Sequence, residues 1–251
     1  MKTFFVTILA ILCLSSWGWT QSVDEIVENN LNAKGGVEKL RAIQSIKLTG
    51  KMLVNNMEMP ITMWHKKPGM LKYVLDFSGK RITFGYDGTT VWHISPFTGK
   101  DEPQEVTGEP AEQAKDNASL MDDYFVDYKK KGTKIELIGK EDLEGTEVFK
   151  LKLTLKNGKE IYYFIDTESF IELKQMMSKK KEDGTEIIFE MILGDYKPVA
   201  GVMYPHSLNL FLNGRNLGNA VFETVELNVE LPEDFFKMPP PSPKNEDEKE
   251  E

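Results

Sequence analysis

The sequence predicts a mainly β protein of the α+β class, with one large antiparallel sheet and helices in two places only. Three observations predict it. About ten or eleven segments alternate apolar and polar residues at the strand period of two. The connections between them are short, so strands that follow one another in sequence should be neighbours in the sheet. Helical periodicity is confined to residues 24–43 and to one insertion near residues 106–131. An antiparallel sheet of that size cannot stay flat; it must curl, split or close. Two small helical pieces cover only part of its inner face. The rest must be side-chain core or a cavity for something apolar.

The elements follow in order. Lys2, the apolar run 4–14 and the small residues Ser15, Ser16, Gly18 and Thr20 have the layout of a secretory signal, with cleavage expected before Gln21. The run is too short for a membrane-spanning helix. A lipid-modified Cys13 is disfavoured by Leu12 before it. The mature chain is thus expected as a domain over residues 21–236 and a disordered, Pro-rich acidic tail over 237–251. Val23, Ile26, Val27, Asn30 and Leu31 share one side of a helix that Ser22 and Glu25 can cap as a capping box. Gly35-Gly36 ends it, and a second short helix spans residues 37–43.

Strands then alternate through Ile46, Leu48, Met52 and Val54, and return through Met57, Met59, Ile61 and Met63. Next come Leu71, Tyr73, Leu75 and Phe77, then Ile82, Phe84 and Tyr86, then Trp92 and Ile94. Asn55-Asn56, Asp87-Gly88 and Asn157-Gly158 read as tight turns. The segment 100–110 reads as a polar loop. Residues 111–131 read as one or two helices carrying Leu120, Met121, Tyr124, Phe125 and Tyr128. Strands resume from Ile135 to about Val229.

The net charge of −9 argues against nucleic acid as a partner and against steady adsorption to an anionic membrane. Cys13 is the only cysteine and leaves with the signal, so neither disulfide nor thiol chemistry is expected. A chain of this size can bury a sufficient core without staples. His65, His93 and His206 stand far apart and lack metal-ligand spacing, so no metal and no cofactor is expected. No Gly-x-Ser-x-Gly elbow and no phosphate-binding glycine pattern occurs. Asp122, Asp123 and Asp127 cluster near the central helix, where they read as a solvated face. Met52, Met57, Met59 and Met63 concentrate on two adjacent strands, and methionine is over-used at adaptable apolar surfaces.

Three stretches carry a resemblance: residues 24–52 with Gly35-Gly36 between two helices, 86–99 with Asp87-Gly88 and Trp92, and 194–205 with Asp195-Tyr196, Gly201 and Pro205. In this order and spacing the chain resembles the exported outer-membrane lipoprotein-sorting proteins of the LolA-like superfamily, over about residues 22–231. The resemblance implies a strongly curved antiparallel sheet, an unclosed half-barrel, with the N-terminal and central helices covering its concave face. It also implies a monomeric periplasmic carrier of lipidated protein or lipid acyl chains in a Gram-negative bacterium, meeting envelope donor and acceptor proteins. The chain departs from that pattern in its length and acidic tail. None of Arg41, Arg81 and Arg215 matches the lid-locking arginine of the carriers.

The expected cavity wall is therefore Met59, Ile61, Met63, Leu71, Tyr73, Leu75, Phe84, Trp92 and Phe211. The expected lid is residues 23–31 and 120–128, held shut by Leu120, Met121 and Phe125. Two other classes stay open. A structural or interaction module of the envelope would have a half-barrel filled by its own side chains. An enzyme, expected against, would use His93 or His206 with a carboxylate. A connected apolar cavity of several hundred Å3 discriminates the carrier from the module.

Overall fold

A computed structural model describes residues 21–98, 100–180 and 184–241. The expected signal, and the acidic tail beyond residue 241, lie outside the described residues. Helix α1 (Val23–Ala33) starts on the capping box: the Glu25 amide donates to Ser22 Oγ, and the Ser22 amide to Glu25 Oε2. Its apolar stripe buries Ile26 and Val27. Asn30 on the same stripe donates to the Phe170 carbonyl at 2.8 Å, which ties the helix to the sheet. The chain then turns at Gly35, where a Cβ would stand 2.4 Å from the Gly201 carbonyl oxygen. That close approach lets the Met203 amide donate to the Lys34 carbonyl. Helix α2 (Val37–Ala42) follows.

Thirteen strands form one sheet: β1 (Ser45–Val54), β2 (Met57–Lys66), β3 (Met70–Phe77), β4 (Lys80–Tyr86), β5 (Val91–Ser95), β6 (Lys100–Val106), β7 (Lys134–Leu143), β8 (Thr146–Thr154), β9 (Glu160–Asp166), β10 (Glu172–Lys180), β11 (Glu186–Val199), β12 (Val202–Leu212) and β13 (Arg215–Leu227). Their spatial order is β6-β5-β4-β3-β2-β1-β13-β12-β11-β10-β9-β8-β7, antiparallel throughout and not closed into a barrel. Asn55 and Asn56 both take left-handed φ, as a two-residue hairpin turn requires. Register shifts in β1–β13, β4's neighbour pair β5–β6, β7–β8, β9–β10 and β12–β13 bend the sheet. Gly50 sits at one of them, where an added Cβ would lie 2.0 Å from the Val221 carbonyl oxygen.

One expectation is corrected here. Residues 100–106 are a strand, not a loop. β6 is an edge strand that needs only backbone pairing on one side, so it carries no apolar alternation, and its charges blunt the free edge.

The topology places the cover. The two edge strands β6 and β7 are consecutive in sequence. The chain between them therefore has to cross from one edge of the half-barrel to the other. It does so with helices α3 (Glu109–Ser119) and α4 (Tyr128–Lys131) and the irregular residues 120–127 between them. The main core lies beneath: Leu48, Ile61, Leu151, Leu153, Ile161, Tyr163 and Ile165 from the concave face, with Ile26, Leu120 and Phe125 from above.

Candidate functional site: a closed apolar cleft with a buried ion cluster

The expected helix over 120–128 is corrected to a run of turns. Asp123 Oδ1 accepts the amides of Phe125 (2.9 Å) and Val126 (3.3 Å), a local bond that competes with helix. Asp127 then takes a left-handed φ of 56°. The turn presses Leu120, Phe125 and Val126 into the core. Phe125 packs on Tyr163 with ring centroids 4.9 Å apart.

Beneath Leu120 and Met121 lies a cleft of about 90 Å3. Its apolar wall comes from the centre of the sheet and from α2: Leu40, Ile46, Leu48, Met191, Leu193, Leu208 and Phe222. At one side it meets Lys34, Asp123, Glu172, Gln175 and Lys67. Ligand clefts of drug size run to about 300–1,000 Å3. The cleft as it stands is therefore closed to an acyl chain; a chain needs the crossing segment to move. A larger groove of about 620 Å3 opens between Asn157, Lys159, Lys179 and Glu186, but most of the residues that line it are charged.

The polar side of the cleft is a buried ion cluster. Lys34 Nζ lies 2.8 Å from Asp123 Oδ2 and 2.8 Å from Glu172 Oε1, with all three side chains largely removed from water. Burial works against the charge on Lys34, and the two carboxylates override it and raise its pKa. Burial also resists ionisation of Asp123, yet Lys34 beside it holds that carboxyl below the usual range. Glu172 goes the other way. Burial pushes it up, and the Asp123 charge adds to this against the pull of Lys34. Burial lowers Lys67, whose ammonium donates to the Leu40 carbonyl at 3.2 Å. The Tyr163 hydroxyl and Gln175 Oε1 are buried beside the cluster without a hydrogen-bond partner among the described residues.

These ions fasten the crossing segment to α1, α2, β2 and β10. Lys34 holds Asp123 to the end of α1 and to β10. Arg41 grips Asp127 with two bonds of 2.7 and 2.9 Å. Asp122 Oδ1 lies 3.2 Å from His65 Nε2 and accepts the Gly69 amide at 3.3 Å, which ties it to β2 and the following turn. Asp24 accepts from Lys129 and from the Tyr128 hydroxyl. The reading of Asp122, Asp123 and Asp127 as a solvated face is thus overturned: the chain folds back so that Asp123 and Asp127 meet Lys34 and Arg41 of the N-terminal segment and Asp122 meets His65 and the Gly69 amide.

The predicted wall divides. Met59, Ile61, Met63 and Leu71 are buried on the concave side, and Tyr73 stacks on Phe84 at 5.0 Å, with Leu75 beside them in the register. These residues lie on β2–β4, away from the cleft lining. Trp92 is not a wall residue. It pairs with Gly85 while Phe84 pairs with His93, so it faces the convex side. There it lies on Gly85, whose Cβ would meet the indole at 2.2 Å, and donates Nε1–H to the Phe236 carbonyl at 2.8 Å. Phe211 also leaves the wall. Leu210 and Leu212 pack on the core, and alternation turns Phe211 to the other face opposite Glu190. Of the expected lid contacts, Leu120 and Met121 line the cleft and Phe125 packs next to it.

Sequence reasoning missed Lys34 and Glu172. Lys34 reads as an ordinary cation at a helix end. Glu172 stands between Ile171 and Leu173 in what looks like a regular strand. The register shift between Glu172 and Lys174 turns both Glu172 and Gln175 inward, opposite Ile165 and Tyr163. No local signal marks that bulge.

His206 is buried with Nδ1 3.0 Å from the Tyr204 carbonyl oxygen, and His93 faces Phe84 across strands. Neither lines the cleft. Among the described residues no group of His, Cys, Asp and Glu could hold a metal ion.

This fold, a half-barrel whose open side is crossed by a fastened segment over an apolar cleft, is shared with solved structures that include a LolA superfamily protein. No family model and no curated protein matches the sequence. Solved structures match the fold. A LolA superfamily protein from Nitrosomonas europaea superposes with a TM-score of 0.52 at 12% identity, over 86% of this chain and 98% of its own. A structure described as an outer membrane lipoprotein-sorting protein domain, from Vibrio parahaemolyticus, gives 0.52 at 13% identity over 85% and 95%. A DUF1329 family protein from Desulfovibrio piger gives 0.55 at 11% identity over 87% and 98%.

Proposed function

We propose that this protein is a non-enzymatic periplasmic carrier that holds an acyl chain of a lipid or a lipidated protein under residues 120–128. One observation carries the reading: the only chain crossing the apolar cleft among the described residues is irregular, and ion pairs fasten it as much as core packing does. Such a cover can swing away as a unit, because its ions can be hydrated once they separate. The half-barrel wall then offers Leu48, Leu193, Leu208 and Phe222 to a chain. Each buried methylene is worth about 0.8 kcal/mol, so part of a long chain binds usefully without polar contacts. The fold likeness to lipoprotein-sorting domains supports the class of cargo; transit between envelope partners is part of the same proposal.

The test is saturable uptake of a fluorescent fatty acid or a triacylated peptide by delipidated protein. A verified disulfide joining residue 121 to the facing wall at residue 208, in a Cys13→Ser background, should block uptake, and reduction should restore it. Uptake of neither probe by the wild type ends the carrier reading. The alternative, an envelope module with a self-filled half-barrel, is favoured by the small volume of the closed cleft and by the packed Tyr73–Phe84 side; it predicts no uptake in any variant.

A further inference from the structure

We propose that the hairpin end of the half-barrel from β6 to β12 is a docking surface for a bilayer with anionic headgroups. The antiparallel order puts the β12–β13, β1–β2, β3–β4 and β5–β6 turns side by side at one end of the sheet. Those neighbouring tips expose Leu217, Leu53, Met57 and Phe97, which are 37%, 41%, 45% and 54% accessible. They belong to the few large apolar residues exposed on the described surface. Phe97 rests on Phe77 at 5.4 Å, with Lys80 Nζ 5.6 Å from its ring.

The same tips carry the exposed cations Lys80, Arg81 and Arg215. None of the three has a carboxylate partner among the described residues. Of the acids at these tips, Glu58 pairs with Lys51, and Asp76, opposite Arg81 in the register, accepts the Gly79 amide. Apolar side chains flanked by free cations suit an interface where the acyl boundary lies just below anionic groups. The turns at the other end have the opposite character. Asp87, Asp142, Glu144, Asp166 and Glu168 stand there, several of them capping turn amides. An anionic surface therefore repels that end and attracts this one, and a chain with net charge −9 is oriented although it is not attracted as a whole. The inference goes beyond the carrier reading and does not need it, since docking leaves uptake of a free fatty acid untouched.

The test is flotation of the full mature chain with phosphatidylglycerol-rich vesicles and with pure phosphatidylcholine vesicles. The expected result is salt-sensitive binding to the first and little to the second. Replacing Lys80, Arg81 and Arg215 by Gln should weaken partitioning on the order of 100-fold, at about five-fold per basic residue. Leu53→Ser with Met57→Ser and Phe97→Ser should also release the protein, while Glu144→Gln with Glu168→Gln at the far end should not. Circular dichroism and fatty-acid uptake check that each variant is folded. Absence of wild-type binding, equal binding to both vesicles, or unchanged binding by the Gln variant overturns the proposal. Capture of a protein partner by these tips with no vesicle binding overturns it as well.

Discussion

The two halves of the concave face use the same strand chemistry and end in different states. Over β2–β4 the inward residues pack on one another: Ile61 and Met63 are buried, and Tyr73 stacks on Phe84. Over β10–β13 the inward surface is covered by residues 120–123 together with α2, and Lys34, Asp123 and Glu172 stand beside the cleft. The first half is stabilised by dispersion and burial, which are lost gradually and everywhere. The second depends on a few ions whose removal leaves other charges buried. The lesson is that a covered sheet face can be sealed permanently or reversibly, and that the polar content of the cover decides which.

Lys34→Met is the sharpest way to break this comparison. It leaves Asp123 and Glu172 facing each other without a cation, and losing one member of a buried ionic group costs about 3–5 kcal/mol. Denaturant titration should show that loss, and hydrogen exchange should rise first at residues 120–126. Replacing all three, as Lys34→Met with Asp123→Leu and Glu172→Met, should recover most of the stability, since apolar substitutes for a buried ionic group are often neutral or better. The triple variant should take up fatty acid more slowly than the wild type. Recovery without slower uptake would show that the ions do not govern opening.

Ile61→Ala sharpens the other side. A buried truncation of this kind costs about 2–5 kcal/mol. Urea midpoints should fall accordingly, with exchange at residues 120–126 changing no more than elsewhere. A selective rise at those residues would erase the distinction between the halves.

Acidification separates the two carboxylates. Glu172 is held above its usual range, so its charged form opposes folding and that cost is relieved as pH falls through the folded value. Asp123 is held below its usual range, so its contribution is full above the ordinary Asp value of about 3.9 and is lost as pH falls below it. Mild acidity should therefore leave residues 120–126 protected, with loosening only in stronger acid. Exchange at stepped pH checks this, and loosening near neutrality would contradict it. The smallest effect is expected from Arg41→Gln, an exposed grip on Asp127. It should lower the melting temperature slightly and less at high salt, because salt screens exposed pairs.

Much of the fold was readable in the residues. The capping box of Ser22 and Glu25, the stop at Gly35 and the Asn55-Asn56 turn follow from local chemistry, and each forms where expected. The candidate site was less readable. Leu120 and Met121 carry an apolar signal and line the cleft, but Lys34 and Glu172 are single charges whose partners lie 89 and 138 residues from Lys34 in sequence. Trp92 and Phe211 were misassigned for another reason. Alternation says that neighbours in a strand face opposite ways, but not which way.

By itself the sequence determined the strands other than β6, their turns, the cap of the first helix and the antiparallel order of neighbours, because each depends on contacts between residues a few positions apart. Tertiary structure alone decided which side of each strand became the interior, since the side-chain period is two and a shift of one residue exchanges the faces. The bulges opposite Gly50 and beside Leu173 made those shifts, and with them the inward placement of Phe222 and of Glu172 with Gln175. It also decided where the charges stand. A net charge of −9 reads as uniform repulsion in one dimension. Antiparallel pairing sends alternate turns to opposite ends of the sheet, and so gathers Lys80, Arg81 and Arg215 at one end and Asp142, Glu144 and Glu168 at the other.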